Sequence, residues 1–119
     1  MNFIKRETQP MDLRIGGVAY PAIYNFAAIA ELENYSETPH HYALIRLNAG
    51  VPTAKELIGL VYGMLKTAGA KSMKNGKQVP LLIEDVEASL NPAEEKELIE
   101  QIKTIIEAHS PAPKEAEKN

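Results

Sequence analysis

With 119 residues, 45% of them hydrophobic, the chain is long enough for one domain with its own core and too apolar for wholesale disorder. It contains no cysteine, which excludes disulfides and thiolate metal sites. The net charge of −3 gives no general pull toward nucleic acid, and no apolar run approaches the ~20 residues that span a bilayer. The N-terminal stretch MNFIKRETQP has no apolar signal core, so the expected setting is the cytoplasm, with neither nucleic acid nor membrane as partner.

Residues 1–10 read as a flexible leader ending at Pro10, with Met11 as an alternative start. Leu13, Ile15, Val18 and Tyr20 then flank Gly16-Gly17. Paired glycines allow the positive φ that a tight type I′ turn needs. That register sets Ile15 opposite Val18 and Leu13 opposite Tyr20, with all of them on one face and Arg14 and Ala19 on the other. Pro21 should end the second strand, because it cannot donate to a ladder. An isolated hairpin is marginal in water, so this apolar face must dock on helices.

Asn25 is the expected N-cap of a first helix, Phe26 to about Tyr35. Its buried stripe is read as Ile23, Phe26, Ala27, Ala30 and Asn34, widened by Ile29 and Leu32. Its alanines predict close packing against another backbone, and Glu31 and Glu33 should face away. Ser36–Pro39 is a break. His40 to about Leu47 makes a short second helix burying Leu44 and Leu47. Thr53 and Glu56 form a capping box for a third helix, Ala54 to about Ala68, with Leu57, Val61, Met64, Leu65 and Ala68 turned inward and Gly69 as its stop. Gly59 and Gly63 on that helix let another helix approach closely.

Residues 70–79 read as a polar, lysine-rich loop. Asn75-Gly76 suits a hairpin tip, but the flanks Ser-Met-Lys and Lys-Gln-Val-Pro are poor strand formers. A fourth helix is expected from Pro80 or Leu81 to about Leu90, burying Leu82, Ile83, Val86 and Leu90. Asn91-Pro92, with Glu94 and Glu95 in the first turn, starts a fifth helix to about His109. Leu98, Ile99, Ile102, Ile105 and Ile106 form its stripe. Residues 110–119 have the composition of a disordered tail or linker. The predicted fold is therefore mainly α: an N-terminal β-hairpin packed on a bundle of about four to five helices, one domain over residues 11–109.

Charge is unevenly placed. Residues 53–78 carry five lysines against the single acid Glu56, and residues 84–107 carry eight acids against Lys96 and Lys103. The simplest consequence is two solvated surfaces that attract each other within the fold or across a dimer.

The strongest catalytic arrangement on offer is His40-His41 near Glu37. Adjacent helical residues point about 100° apart, so both imidazoles cannot hold one metal. There is no serine in a nucleophile-elbow context. No catalytic, cofactor or metal residue is assigned, and the chain reads as a contact protein rather than an enzyme. Tyrosine favours half-buried and interface positions. Tyr24 and Tyr35 bracket the first helix and suit an interface, whereas Tyr20 and Tyr62 suit the core edge. The protein-binding surface assigned to this region comprises Tyr20, Tyr24, Phe26, Ile29, Leu32 and Tyr35.

The hairpin LRIGGVAYP followed by a helix reading FAAIAELE resembles the tail assembly chaperones of long-tailed bacteriophages and their prophages. Members commonly open with a hairpin of the form apolar-x-apolar-Gly-Gly/Lys-x-Tyr and a helix ending in Leu-Glu. The matching residues are Ile15-Gly16-Gly17, Tyr20 and Leu32-Glu33, and the capped helix at Thr53 and Glu56 is similar to the continuation. The chain departs in having Asn34-Tyr35-Ser36 where Thr-Gly is usual. The likeness is specific over about residues 11–35, looser to about residue 68 and absent beyond. It implies a non-enzymatic protein without cofactors that binds the tape measure protein and keeps it soluble until tail tube subunits polymerise around it. It further implies absence from the mature virion, self-association and, in many members, a longer frameshifted form. Glu117-Lys118-Asn119 is compatible with a slippery codon run, which the gene sequence decides.

Two rival readings come from other classes. One is a small DNA-binding or regulatory protein of a mobile element, using the third and fourth helices with Lys66–Lys77; the acidic last helix argues against it. The other is an enzyme using His40, His41 and Glu37.

Overall fold

The computed structural model describes residues 8–110, so most of the leader and of the tail lies outside the described residues. β1 (Met11–Ile15) and β2 (Val18–Ala22) form an antiparallel hairpin in the predicted register, Ile15 opposite Val18 and Leu13 opposite Tyr20. Gly16 and Gly17 have φ of 58° and 81°, the left-handed pair that a type I′ turn demands. Pro21 does not end β2. It sits opposite Asp12, and the two-residue turn makes that a pair without ladder bonds, so its missing N–H costs nothing there.

α1 (Phe26–Ser36) starts where Asn25 accepts the Ala28 N–H at 3.2 Å and stops at Glu37, which adopts a left-handed conformation. α2 (His40–Asn48) follows after a three-residue break. α3 (Ala54–Thr67) opens with the full capping box, the Glu56 N–H donating to Thr53 Oγ1 and the Thr53 N–H to the Glu56 carboxylate. It closes on Gly69 in a Schellman arrangement: Ala70 N–H reaches the Leu65 carbonyl and Gly69 N–H reaches that of Lys66.

The core lies around α3. Leu57, Leu60, Val61, Met64 and Leu65 of that helix are buried with Leu13, Ile15, Leu32 and Leu47. α1 crosses α3 at the glycines. A Cβ at Gly63 would lie 2.5 Å from the Ala28 carbonyl oxygen, and one at Gly59 would lie 3.3 Å from Leu32 Cα. The predicted close approach is therefore real, but of the predicted stripe only Leu32, with Ile23 and Ile29 half-buried, turns inward. α1 buries Ala28 and Leu32, while Phe26, Ala27, Ala30 and Asn34 are exposed. The helix is too alanine-rich on several sides for its own pattern to choose a face, and the glycine groove of α3 chooses instead.

Residues 71–80 are not a loop. β3 (Lys71–Lys74) pairs antiparallel with β4 (Lys77–Pro80) across Asn75-Gly76, whose φ values are 52° and 75°. The expectation of a mainly α fold with one hairpin is thus corrected to an α+β fold, with five helices and two separate two-stranded sheets among the described residues. The turn chemistry of Asn-Gly outweighs weak strand propensity, because this hairpin is largely exposed and its side chains have little packing to lose.

α4 (Ile83–Ser89) is shorter than predicted, with Leu82 outside it and exposed. A 3₁₀ turn at Pro92–Glu94, capped by Asn91, leads into α5 (Glu95–His109). Its stripe is as predicted: Leu98, Ile99, Ile102 and Ile105 are buried and Ile106 packs on the core edge. β1 lies along α5 and β2 along α3, as the hairpin's apolar face required. No helix among the described residues is long and apolar enough to cross a membrane.

Candidate functional site

Docking uses only half of the first hairpin's apolar face. Leu13 and Ile15 are buried, Tyr20 is half-buried, and Val18 remains 52% exposed. Val18 is thus the member of the expected docking face that the fold leaves uncovered, although its cross-strand partner Ile15 is buried.

Val18 and Tyr20 open onto a groove of about 460 Å³. Its floor is Ile15, Leu65, Leu81 and Val86, and its far wall is the second hairpin with Met73, which is 63% exposed. That volume falls within the ~300–1,000 Å³ of typical binding clefts. A smaller cleft of about 210 Å³ lies between Arg14, Gly17 and the start of α5. There Arg14 N–H and carbonyl already exchange hydrogen bonds with the Gln101 amide at 2.8 and 3.1 Å.

The second hairpin is held in place by one carboxylate. Asp85 on α4 accepts Ser72 Oγ–H at 2.7 Å and the Leu82 N–H at 3.0 Å, and lies 3.3 Å from Lys74 Nζ. The Ser72 hydrogen bond, then that of Leu82, holds the Asp85 carboxyl below its ordinary value, with Lys74 adding to the effect. One side chain thereby caps α4 and fixes the wall of the groove.

The sequence-assigned surface disperses. Tyr24 and Leu32 are buried in the core and cannot meet a partner directly. Burial, then the Glu33 charge, pushes the Tyr24 phenol up. Phe26 is 82% exposed at the start of α1, and Ile29 is half-buried. Tyr35 donates its O–H to Glu87 of α4, and that hydrogen bond is the main reason its phenol is raised. Of the six, only Tyr20 lines the groove. The sequence misses Met73 because residues 70–79 read as a loop, with Asn75-Gly76 as the signal against that reading; Leu81 and Val86 read as the start and the buried stripe of the fourth helix, and nothing in the pattern says that they also line a groove.

The histidine arrangement resolves into local structure. His40 Nδ1 lies 2.8 Å from Glu33 Oε2, and the His40 N–H donates to the same oxygen at 2.9 Å. These contacts cap α2 and hold the Glu33 carboxyl below its ordinary range. Glu37 is the left-handed residue that ends α1. Among the described residues, no group of three or more His, Cys, Asp or Glu is placed to hold a metal ion.

The lysine cluster is partly spoken for. Lys66 pairs with Glu31 at 2.6 Å and Lys74 with Asp85, while Lys71 and Lys77 make no ion pair among the described residues. No protein-family model, curated protein or solved structure matches this chain.

Proposed function

We propose that this protein is a tail assembly chaperone of a long-tailed bacteriophage or prophage. In the host cytoplasm it covers apolar surface of the helical tape measure protein until tail tube subunits replace it. The observation that carries this reading is the open groove between the two hairpins. Val18 and Tyr20 of the resemblance-bearing hairpin face Met73 across an apolar floor, which suits the apolar side of an amphipathic helix. The residues that carry the resemblance are built into a hairpin and two helices: Gly16-Gly17 make the turn, Leu32 is buried on α1, and Thr53 with Glu56 caps α3. A groove open along one side fits reversible cover, since a client helix can leave sideways as tube subunits arrive.

The deciding experiment is co-expression with the tape measure protein encoded alongside. The chaperone should co-purify with it and raise its soluble fraction. Recovery of the tape measure protein only in the pellet, with no chaperone attached, would end this reading.

The second hairpin also supports one rival. An exposed β-ribbon carrying Lys71, Lys74 and Lys77 is a shape that can enter a nucleic-acid groove. A gel shift with duplex DNA at low salt separates that reading from the chaperone one.

A further inference from the structure

We propose that Asn75, at the tip of the second hairpin, is a site of spontaneous deamidation, and that its isoaspartyl product unravels the wall of the groove. The proposal concerns the covalent fate of the β3–β4 turn and stands apart from the chaperone reading.

The chemistry needs an asparagine with a free carboxamide, followed by a backbone N–H that can reach it. Asn75 and Gly76 are both exposed. The ribbon is pinned through Ser72 and Lys74 to Asp85, and no hydrogen bond among the described residues engages the Asn75 amide or the Gly76 N–H. Gly76 has no side chain to shield its nitrogen, and each local opening of the tip lets that nitrogen swing onto Asn75 Cγ. Lys77, which makes no ion pair among the described residues, follows directly, and its charge favours the Gly76 amide anion that attacks. The other described asparagines are disqualified by their surroundings. Asn25 and Asn91 hold the Ala28 and Ala93 N–H groups with their side-chain oxygens, and Pro92 has no N–H to offer. Asn34 lies within α1 ahead of the bulky Tyr35, and Asn48 ends α2, where the Ala49 N–H donates to the Ile45 carbonyl.

The Gly76 nitrogen bonds to Asn75 Cγ, the Cγ–Nδ2 bond breaks, and ammonia leaves with the proton that the Gly76 amide gave up. Water then opens the cyclic imide. Cleavage at Cγ restores a normal backbone with aspartate at position 75. Cleavage at the other carbonyl leaves the main chain running through the former side chain, longer by a methylene. Aspartate before Gly76 still suits a type I′ turn, but the lengthened backbone cannot keep Lys74 opposite Lys77 across a tight turn. Every residue of β3, Lys71 to Lys74, lines the groove, so the wall loosens as the register is lost.

In the test the full chain is aged at mildly alkaline pH and physiological temperature, mapped by mass spectrometry and labelled with an isoaspartyl methyltransferase. Asn75 should be the described asparagine that shifts by the mass of OH in place of NH2, and it should take the methyl label. Hydrogen exchange of the aged chain should quicken over residues 71–80, while α3 keeps its protection. Asn75→Gly, which copies the Gly16-Gly17 turn and removes the amide, should not change on ageing. Asn75→Asp, which adds the charge on a normal backbone, should exchange as the fresh chain does. No modification at Asn75, or modification only once the chain is unfolded in urea, overturns the site. Modification there with unchanged exchange overturns the loss of the wall, and so does equal quickening in Asn75→Asp or in aged Asn75→Gly.

Discussion

Gly63 and Glu56 are single residues on which neighbouring helices depend. At Gly63 an added methyl would meet the Ala28 backbone at 2.5 Å, and a main-chain carbonyl cannot swing aside as a side chain could. Gly63→Ala should therefore cost about 2 kcal/mol in urea unfolding, despite the better helix propensity of alanine. At Gly59 the nearest backbone is 3.3 Å away, so Gly59→Ala should stay within about 1 kcal/mol of the parent chain, strain and propensity nearly cancelling. The glycine spacing was legible in the sequence, but its partner was not. Nothing in the alanine-rich α1 says that Ala28, rather than Ala27 or Ala30, fills the gap. Glu56 is almost fully buried, accepts from the Thr53 N–H and pairs with Arg46 of α2. The Arg46 hydrogen bond, against the opposing effect of burial, holds its carboxyl below the ordinary 4.5. A depressed carboxyl contributes stability that is present above 4.5 and is lost as pH falls through the lower folded value. Glu56→Gln should thus be less stable than the parent at neutral pH, with the gap in urea midpoints closing below about pH 4. A gap that persists in acid would mean that packing, not charge, dominates there. The cap half of this residue's role could be read from Thr-x-x-Glu; the Arg46 pairing depends on how α2 folds back and could not.

At the scale of elements, caps and turns were more legible than faces. Asn25, Thr53, Gly69 and Asn91 each end or begin a helix as local chemistry requires, because such signals need no distant partner. The second hairpin is the exception: its strand propensity is poor, the Asn75-Gly76 turn outweighs it, and the wall of the groove is therefore hard to see in the sequence. Gly76 has φ of 75°, where a β-branched side chain is strained by about 1–3 kcal/mol. Gly76→Val should melt this hairpin locally: hydrogen exchange at 71–80 should accelerate while protection in α3 and α5 holds. Loss of protection across the whole molecule would show instead that the hairpin belongs to the cooperative core.

Over the whole molecule, the start and finish of the described residues are stitched together. His109, in the last turn of α5, accepts the Tyr24 N–H at Nδ1, 3.0 Å away, and its Nε2 lies 3.1 Å from the Gln9 carbonyl. The helix dipole alone suits a histidine in a last turn; contacts spanning some 85 residues are invisible until the chain closes. His109→Ala should leave a part-buried donor unanswered, lowering stability by about 1–2 kcal/mol and exposing the Tyr24 amide to exchange first. The two separate sheets have a further consequence. Among the described residues each has two strands, so each presents open edges, the usual seed of strand-to-strand fusion between molecules. Pro21 interrupts one such ribbon, and Lys71, Lys74, Lys77 and Pro80 line the other. If many copies crowd along one long client, those residues let neighbours stand side by side without knitting into a continuous sheet. The features that leave the second ribbon so poor a strand by composition are then what keep a dense coat reversible.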